Sequence, residues 1–305
     1  MTDIRLWDLI EFGESGHIVL LGFPHDEGVL LNGGRAGARL GPEKFRFWLK
    51  RFGALHNPEK DIDLSSLAVT DAGDVPPEVP LKEAHARLTE KVGSILSQGG
   101  IPFIIGGGND QSHPNASALL QHRKGKTVGV INIDAHLDVR PLKDGCAHSG
   151  SPFRLLLEDE RFDGENFIEF AAQGSQCSKE HAEYVRGKKG RILWLDEVQH
   201  HGRVIDSFEA SIGNLAWSSS SLFVSFDLDS VAASDAPGVS CPGILGLSAE
   251  DAVSIAYRSG GHPSVSLFDL SEYNPVIEDE RTGRLASAMF YYFCLGVASR
   301  TEKKK

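Results

Sequence analysis

Asp134-Ala135-His136-Leu137-Asp138 is the stretch on which the reading of this chain turns. It follows Thr127-Val128-Gly129-Val130-Ile131-Asn132-Ile133 without a break, and that run has the apolar, β-branched make-up of a buried strand. A buried strand has no structural need to end in two carboxylates and an imidazole. Side chains two apart share a face of extended chain, so Asp134, His136 and Asp138 are expected to point the same way. Such crowding is costly unless a positive charge sits among the groups, and a divalent metal is the natural one. Ser221-Leu222-Phe223-Val224-Ser225-Phe226 repeats the pattern and ends in Asp227-Leu228-Asp229. Either acid pair alone is more often a cap or a turn. Together they offer four carboxylates and one imidazole, too many for one small cation and suited to a pair that shares bridging carboxylates. Oxygen donors with one nitrogen and no thiolate favour manganese or a magnesium-like ion over structural zinc.

The 305 residues, 41% hydrophobic and 24% charged, have the composition of a globular protein. No Pro/Ser-rich linker, repeat or low-complexity tract divides them, so a single domain over 1–305 is the simpler expectation. The net charge of -11 and the lack of a basic stripe argue against a nucleic-acid partner, and Lys303–Lys305 is a short tail. Neither a signal peptide nor a segment of membrane-spanning length is legible. Four scattered cysteines, Cys146, Cys177, Cys241 and Cys294, do not make a disulfide framework, and the expected compartment is reducing and cytoplasmic.

Eight apolar or β-branched runs read as strands: 17–24, 67–75, 101–106, 127–134, 166–174, 191–198, 221–227 and 265–270. Helical periodicity or start signals mark 42–52, 81–98, 115–122, 178–186, 204–212, 248–259 and 283–297 between most of them. This alternation predicts an α/β protein with a mainly parallel sheet covered on both faces. Ligands of such sheets bind at the carboxyl ends of strands. Both acid clusters fall there, as do Gly106-Gly107-Gly108-Asn109-Asp110 and Ser271-Glu272. The three glycines are not followed by Gly-Lys-Ser/Thr, so they are no phosphate loop.

Taken in order, these segments resemble the ureohydrolase superfamily of arginases, agmatinases and formiminoglutamases. Gly22–Gly28, Asn32–Gly37 and Gly41-Pro42 are similar to its N-terminal loop. Gly106–Asp110, Asp134–Asp138 and Ser225–Asp229 are similar to its metal motifs, and Ala236–Val239 and Ser271–Pro275 follow in order. Asp26-Glu27-Gly28 before Asn32–Arg35, His148–Arg154 and Ala236–Ser240 lean toward formiminoglutamase. The resemblance implies a three-layer α/β/α fold with an eight-stranded parallel sheet, and two Mn2+ per chain held by Asn109, Asp134, His136, Asp138, Asp227 and Asp229. It implies a water-derived nucleophile, Asp138 and His148 as proton relays, and Glu272 as the anchor of the amidinium. Hydrolysis of N-formimino-L-glutamate to L-glutamate and formamide, a step of histidine degradation, is the implied activity. The two carboxylates of that small-molecule amidine would meet arginine forks, for which Arg140, Arg154 and Arg35 are the candidates. An agmatinase, an arginase or another guanidino-acid hydrolase is the runner-up, and a metal-deficient relative without activity is the reading from another class. Trimers or hexamers are implied, with single chains and dimers left open.

The family usually carries histidine where Asn109 stands, and a neutral amide is a weaker donor, so the occupancy of that metal site is the open question. Cys241, after Val239-Ser240, is expected near the site, where its oxidation, with Cys146 as one conceivable partner, would lower activity or manganese uptake. His25, His113, His200 and His201 receive no role and are expected at the surface; Asp110 is expected to support the metal ligands from behind or to cap the next helix.

Overall fold

The computed structural model describes residues 4–200 and 202–302. Its strands, in chain order, are β1 (Glu11–Phe12), β2 (Ile18–Phe23), β3 (His56–Asn57), β4 (Ile62–Asp63), β5 (Val69–Asp74), β6 (Ile101–Gly106), β7 (Val128–Ile133), β8 (Phe167–Ala172), β9 (Arg191–Trp194), β10 (Ser221–Asp227) and β11 (Val265–Ser271). The helices are α1 (Glu27–Leu31), α2 (Gly41–Leu49), α3 (Leu81–Ser97), α4 (Ser112–His122), α5 (Pro152–Glu158), α6 (Lys179–Gly187), α7 (Leu195–His200), α8 (Val204–Ser218), α9 (Ala249–Gly261) and α10 (Glu280–Glu302). Nine strands form one sheet in the order β1-β5-β2-β6-β11-β10-β7-β8-β9, and every pairing in it is parallel. The expected count of eight is corrected to nine. The additional strand, β1, has two residues, both exposed, and pairs only with β5 at the sheet edge. Two exposed residues produce no burial periodicity to read.

Side-chain alternation sorts the sheet's residues into two cores. Ile131 and Ile133 of β7 pack on one face with Phe208 and Leu215 of α8 and Ile255 of α9. Val128 and Val130 pack on the other with Leu88 of α3, Leu119 of α4 and Phe153 of α5. Helices on both faces leave no polar side, which is why the strand is apolar at almost every position. The first core is anchored by Phe103, stacked 5.1 Å from Phe268 and edge-on at 4.8 Å to Phe290. Removing such a ring, Phe103→Ala, costs on the order of 3–5 kcal/mol.

Other boundaries moved for local reasons. The run 191–198 is strand only to Trp194, because α7 starts at Leu195. More important for the site, β7 stops at Ile133, so Asp134–Asp138 is not extended chain but a bend. Asp138 itself has φ 44°, in the left-handed region. His25 is buried against Phe23 rather than exposed, His113 is intermediate in exposure, and His200 is exposed. His201 lies outside the described residues.

Candidate metal centre

Four neighbouring strands at the middle of the sheet, β6-β11-β10-β7, deliver the polar groups from their carboxyl ends. Asn109 follows β6, Glu272 follows β11, Asp227 closes β10 and Asp134 follows β7. The two acid motifs use the same local device. Asp134 Oδ1 accepts the His136 N–H at 2.7 Å, and Asp227 Oδ1 accepts the Asp229 N–H at 2.9 Å. Each first acid thus folds its own loop back and brings the residue two positions on beside it, as short acidic side chains do in turns. One oxygen or nitrogen each from Asp134, His136 and Asp138 lies within 4.8 Å of the others, and so does one each from Asp134, Asp227 and Asp229.

The Gly106–Gly108 turn earns its glycines by close approach. A Cβ on Gly107 would overlap the backbone of His25, and one on Gly28 would overlap the Asp110 carboxylate. Asp110 does not cap α4; its Oδ2 meets His85 Nε2 at 2.6 Å rather than a member of the acid cluster. Asn109 is held from three sides. Its N–H donates to Glu272 Oε1 at 3.1 Å, and its Nδ2 donates to Asp138 Oδ2 at 2.9 Å and Asp134 Oδ2 at 3.4 Å. Its Oδ1 accepts from Ser112 Oγ at 2.8 Å and Ser271 Oγ at 3.2 Å. To serve a cation through oxygen, this amide must turn over.

Electrostatics suit the cluster to a cation. Asp229 holds the His136 imidazole well above its usual range, as a protonated group, with help from Asp134. Burial, then Asp134, pushes Asp138 well up; burial, then Asp229, does the same to Asp227 and Glu272. Burial opposes ionisation of Asp134, but its bonds to His136 outweigh that and keep it charged, while Asp229 is pushed up to about 6 by burial. Asp229 Oδ1 and Glu272 Oε2 are buried with no hydrogen-bond partner. Carboxylates this crowded, served by one imidazole, are what divalent ions stabilise by displacing the protons. The oxygen-rich donor set fits a hard cation such as Mn2+.

The acids open into a cavity of about 370 Å³, which His136, Asp138, Asp227, Asp229 and Glu272 share with Arg35 and Arg140. Arg35 is partly committed: Nε and Nη2 donate to the carbonyls of Ser240 and Val239. Arg154 does not line this cavity. It pairs with Glu158 at 3.1 Å and stacks on Tyr184. His148 does not line it either. Its ring Nδ1 accepts the Gly150 N–H at 3.2 Å, which leaves Nε2 to donate to the Pro141 carbonyl at 3.0 Å. Neither nitrogen is then free to take a proton. Cys241 is a free thiol on the cavity wall, and Cys146 is a separate, exposed free thiol. Glu169 escaped the sequence reading. It is buried in β8 near Asp134, receives both its bonds from Asn132 Nδ2 at 3.0 and 3.2 Å, and is pushed well up by burial. One acid inside the apolar run Phe167–Ala172 was the available signal.

The arginase family model matches residues 16–296, and this chain belongs to the arginase family. Among its relatives, the formimidoylglutamase of Aeromonas salmonicida (strain A449) is 30% identical over 290 residues, covering 94% of this chain and 89% of that one. That of Rhodococcus opacus (strain B4) is 32% identical over 289 residues, covering 91% and 85%. A crystal structure of Trypanosoma cruzi formiminoglutamase with Mn2+ superposes with a TM-score of 0.93 at 48% identity, covering 98% of this chain and 100% of that one. An asparagine-to-histidine variant of the same protein, also with Mn2+, superposes with the same score and covers 98% and 99%.

Proposed function

We propose that this chain is a manganese-dependent hydrolase that cleaves the amidine C–N bond of N-formimino-L-glutamate to give L-glutamate and formamide, a step of histidine degradation. The observation that carries the reading is the cluster of buried Asp134, Asp227 and Asp229 with half-buried His136 and Asp138, at the floor of a cavity whose wall bears Arg35 and Arg140. These five residues and Asn109 would hold two Mn2+. The amidine carbon is resonance-stabilised and a poor electrophile, and the bound ions would supply the Lewis acidity that makes a hydroxide-strength nucleophile available at neutral pH.

The chain's own groups do the rest. Asp138, a carboxylate once the ions displace its proton, would take up the proton that the water-derived nucleophile gives up and pass it to the departing amine. Glu272 presents the unpartnered Oε2 to the cationic amidinium while Oε1 stays on the Asn109 N–H. Arg140 and the uncommitted edge of Arg35 bind carboxylate, which selects an anionic amidine over the free amine of an agmatinase substrate. His148, with both ring nitrogens engaged, braces the loop that carries Arg140. His148 as proton relay would need that ring to leave Pro141 and Gly150. The four free thiols agree with a reducing, cytoplasm-like compartment.

Asn109 favours a second reading, a metal-deficient chain without activity, because its neutral amide is a weaker metal donor than an imidazole. A single assay separates the readings. With excess Mn2+, release of formamide from N-formimino-L-glutamate, without urea from arginine or agmatine, is expected. Urea release, or no turnover of any of the three, would sink the proposal.

A further inference from the structure

Two cavities meet at Arg140. The inner one holds the acids; the outer one, about 420 Å³, is lined by Arg140, Lys143, His148 and His181 among others, and no carboxylate lines it among the described residues. Asn32 and Arg140 belong to both walls. This shared edge is held at three points: Arg140 Nη1 donates to Asn32 Oδ1 at 2.9 Å, Asn32 Nδ2 to Ser149 Oγ at 3.1 Å, and the Arg140 N–H to the Gly150 carbonyl at 2.8 Å. Arg46, Arg154 and Arg161 each have an acid partner, whereas Arg140 bonds a neutral amide and Lys143 Nζ the Leu31 carbonyl at 3.1 Å. Their charge is therefore uncompensated in a chain of net charge -11. His181 is kept neutral by burial and by Arg140 beside it, so it offers the cavity a hydrogen bond without adding charge.

The chemistry of the proposed substrate fits two anion subsites better than one. One carboxylate sits on the carbon that carries the amidine nitrogen; the other is two methylenes further away. With the amidine at the acids, the near carboxylate stays in the inner cavity. Arg35 spends two of its donors there on backbone carbonyls. We propose that the outer cavity is a second anion subsite, in which Lys143, with Arg140 at the shared edge, takes the distal carboxylate and sets the preference for a substrate with two carboxylates. This rests on the formiminoglutamate reading above.

The test compares kcat/KM for N-formimino-L-glutamate and for N-formimino-L-glutamine, in which a neutral amide replaces the distal carboxylate alone, in the manganese-loaded protein. An exposed lysine–carboxylate pair is worth up to about 1 kcal/mol, so Lys143→Gln should lower the preference for the substrate with two carboxylates about fivefold. Lys143→Arg should retain it. Raising the salt to about 0.5 M should erode the preference of the wild type more than that of Lys143→Gln, because an exposed charge is screened. An unchanged preference in Lys143→Gln overturns the inference and leaves the proposed function standing. Failure of the wild type to turn over either substrate removes both.

Discussion

The floor and the mouth of the cavity obey different constraints. On the floor, Asp134, Asp227, Asp229 and Glu272 are all buried, and every one of them needs a counter-charge. At the mouth, Arg35 and Arg140 are exposed, and Arg154 lies half-buried outside the cavity, so each has other ways to be satisfied: Arg35 takes backbone carbonyls, Arg140 the Asn32 amide, and Arg154 Glu158 and Tyr184. A buried charge without a partner is too costly to lack a purpose, whereas an exposed arginine has cheap alternatives. Function is therefore more tightly written into the floor than into the mouth.

This contrast can be broken by substitution. Asp138→Asn keeps the shape and removes the proposed proton carrier, and should lower kcat by about 10²–10⁴-fold in steady-state assays with metal content measured in parallel. Arg140→Gln removes the proposed charge-assisted fork to the substrate, worth roughly 1.5–3 kcal/mol, so KM should rise about tenfold or more with a smaller change in kcat. Arg154→Gln should alter kcat/KM by less than about threefold and lower the melting temperature only slightly, since its ion pair is partly exposed. A larger effect at Arg154 than at Arg140 would invert the contrast. The smallest effect concerns stability away from the cavity. Burial lowers the pKa of His113 from 6.5 to about 4, so the unfolded chain binds more protons between those values. That stability is full above about 6.5 and lost as pH falls toward about 4; melting curves across this window should slope less in His113→Gln.

What was legible follows the same line. Apolar runs ending in acids located β7 and β10 and the acid cluster at their ends, because burial leaves a charge few interpretations. The convergence of those side chains had another cause than extended geometry: Asp134 and Asp227 each cap a tight turn, and Asp138 and Glu272, at φ 44° and 65°, adopt left-handed backbone. Strain of this kind costs about 1–3 kcal/mol and concentrates at functional sites, but no residue type announces it. The His85–Asp110 pair joins positions 25 apart, and Glu169 approaches Asp134 across the β7–β8 pairing. Both depend on strand order, which local pattern does not contain. The placement of His148 was hidden for a similar reason, since its two partners are backbone groups of its own loop.

The central claim is that the buried acids form a two-ion centre despite Asn109. Manganese bound per chain, counted by calorimetry after dialysis into metal-free buffer and titration with Mn2+, tests it most directly. The account predicts two ions, the weaker one lost selectively in Asn109→Ala while the other remains. Fewer than one ion per chain at saturating Mn2+ would contradict it.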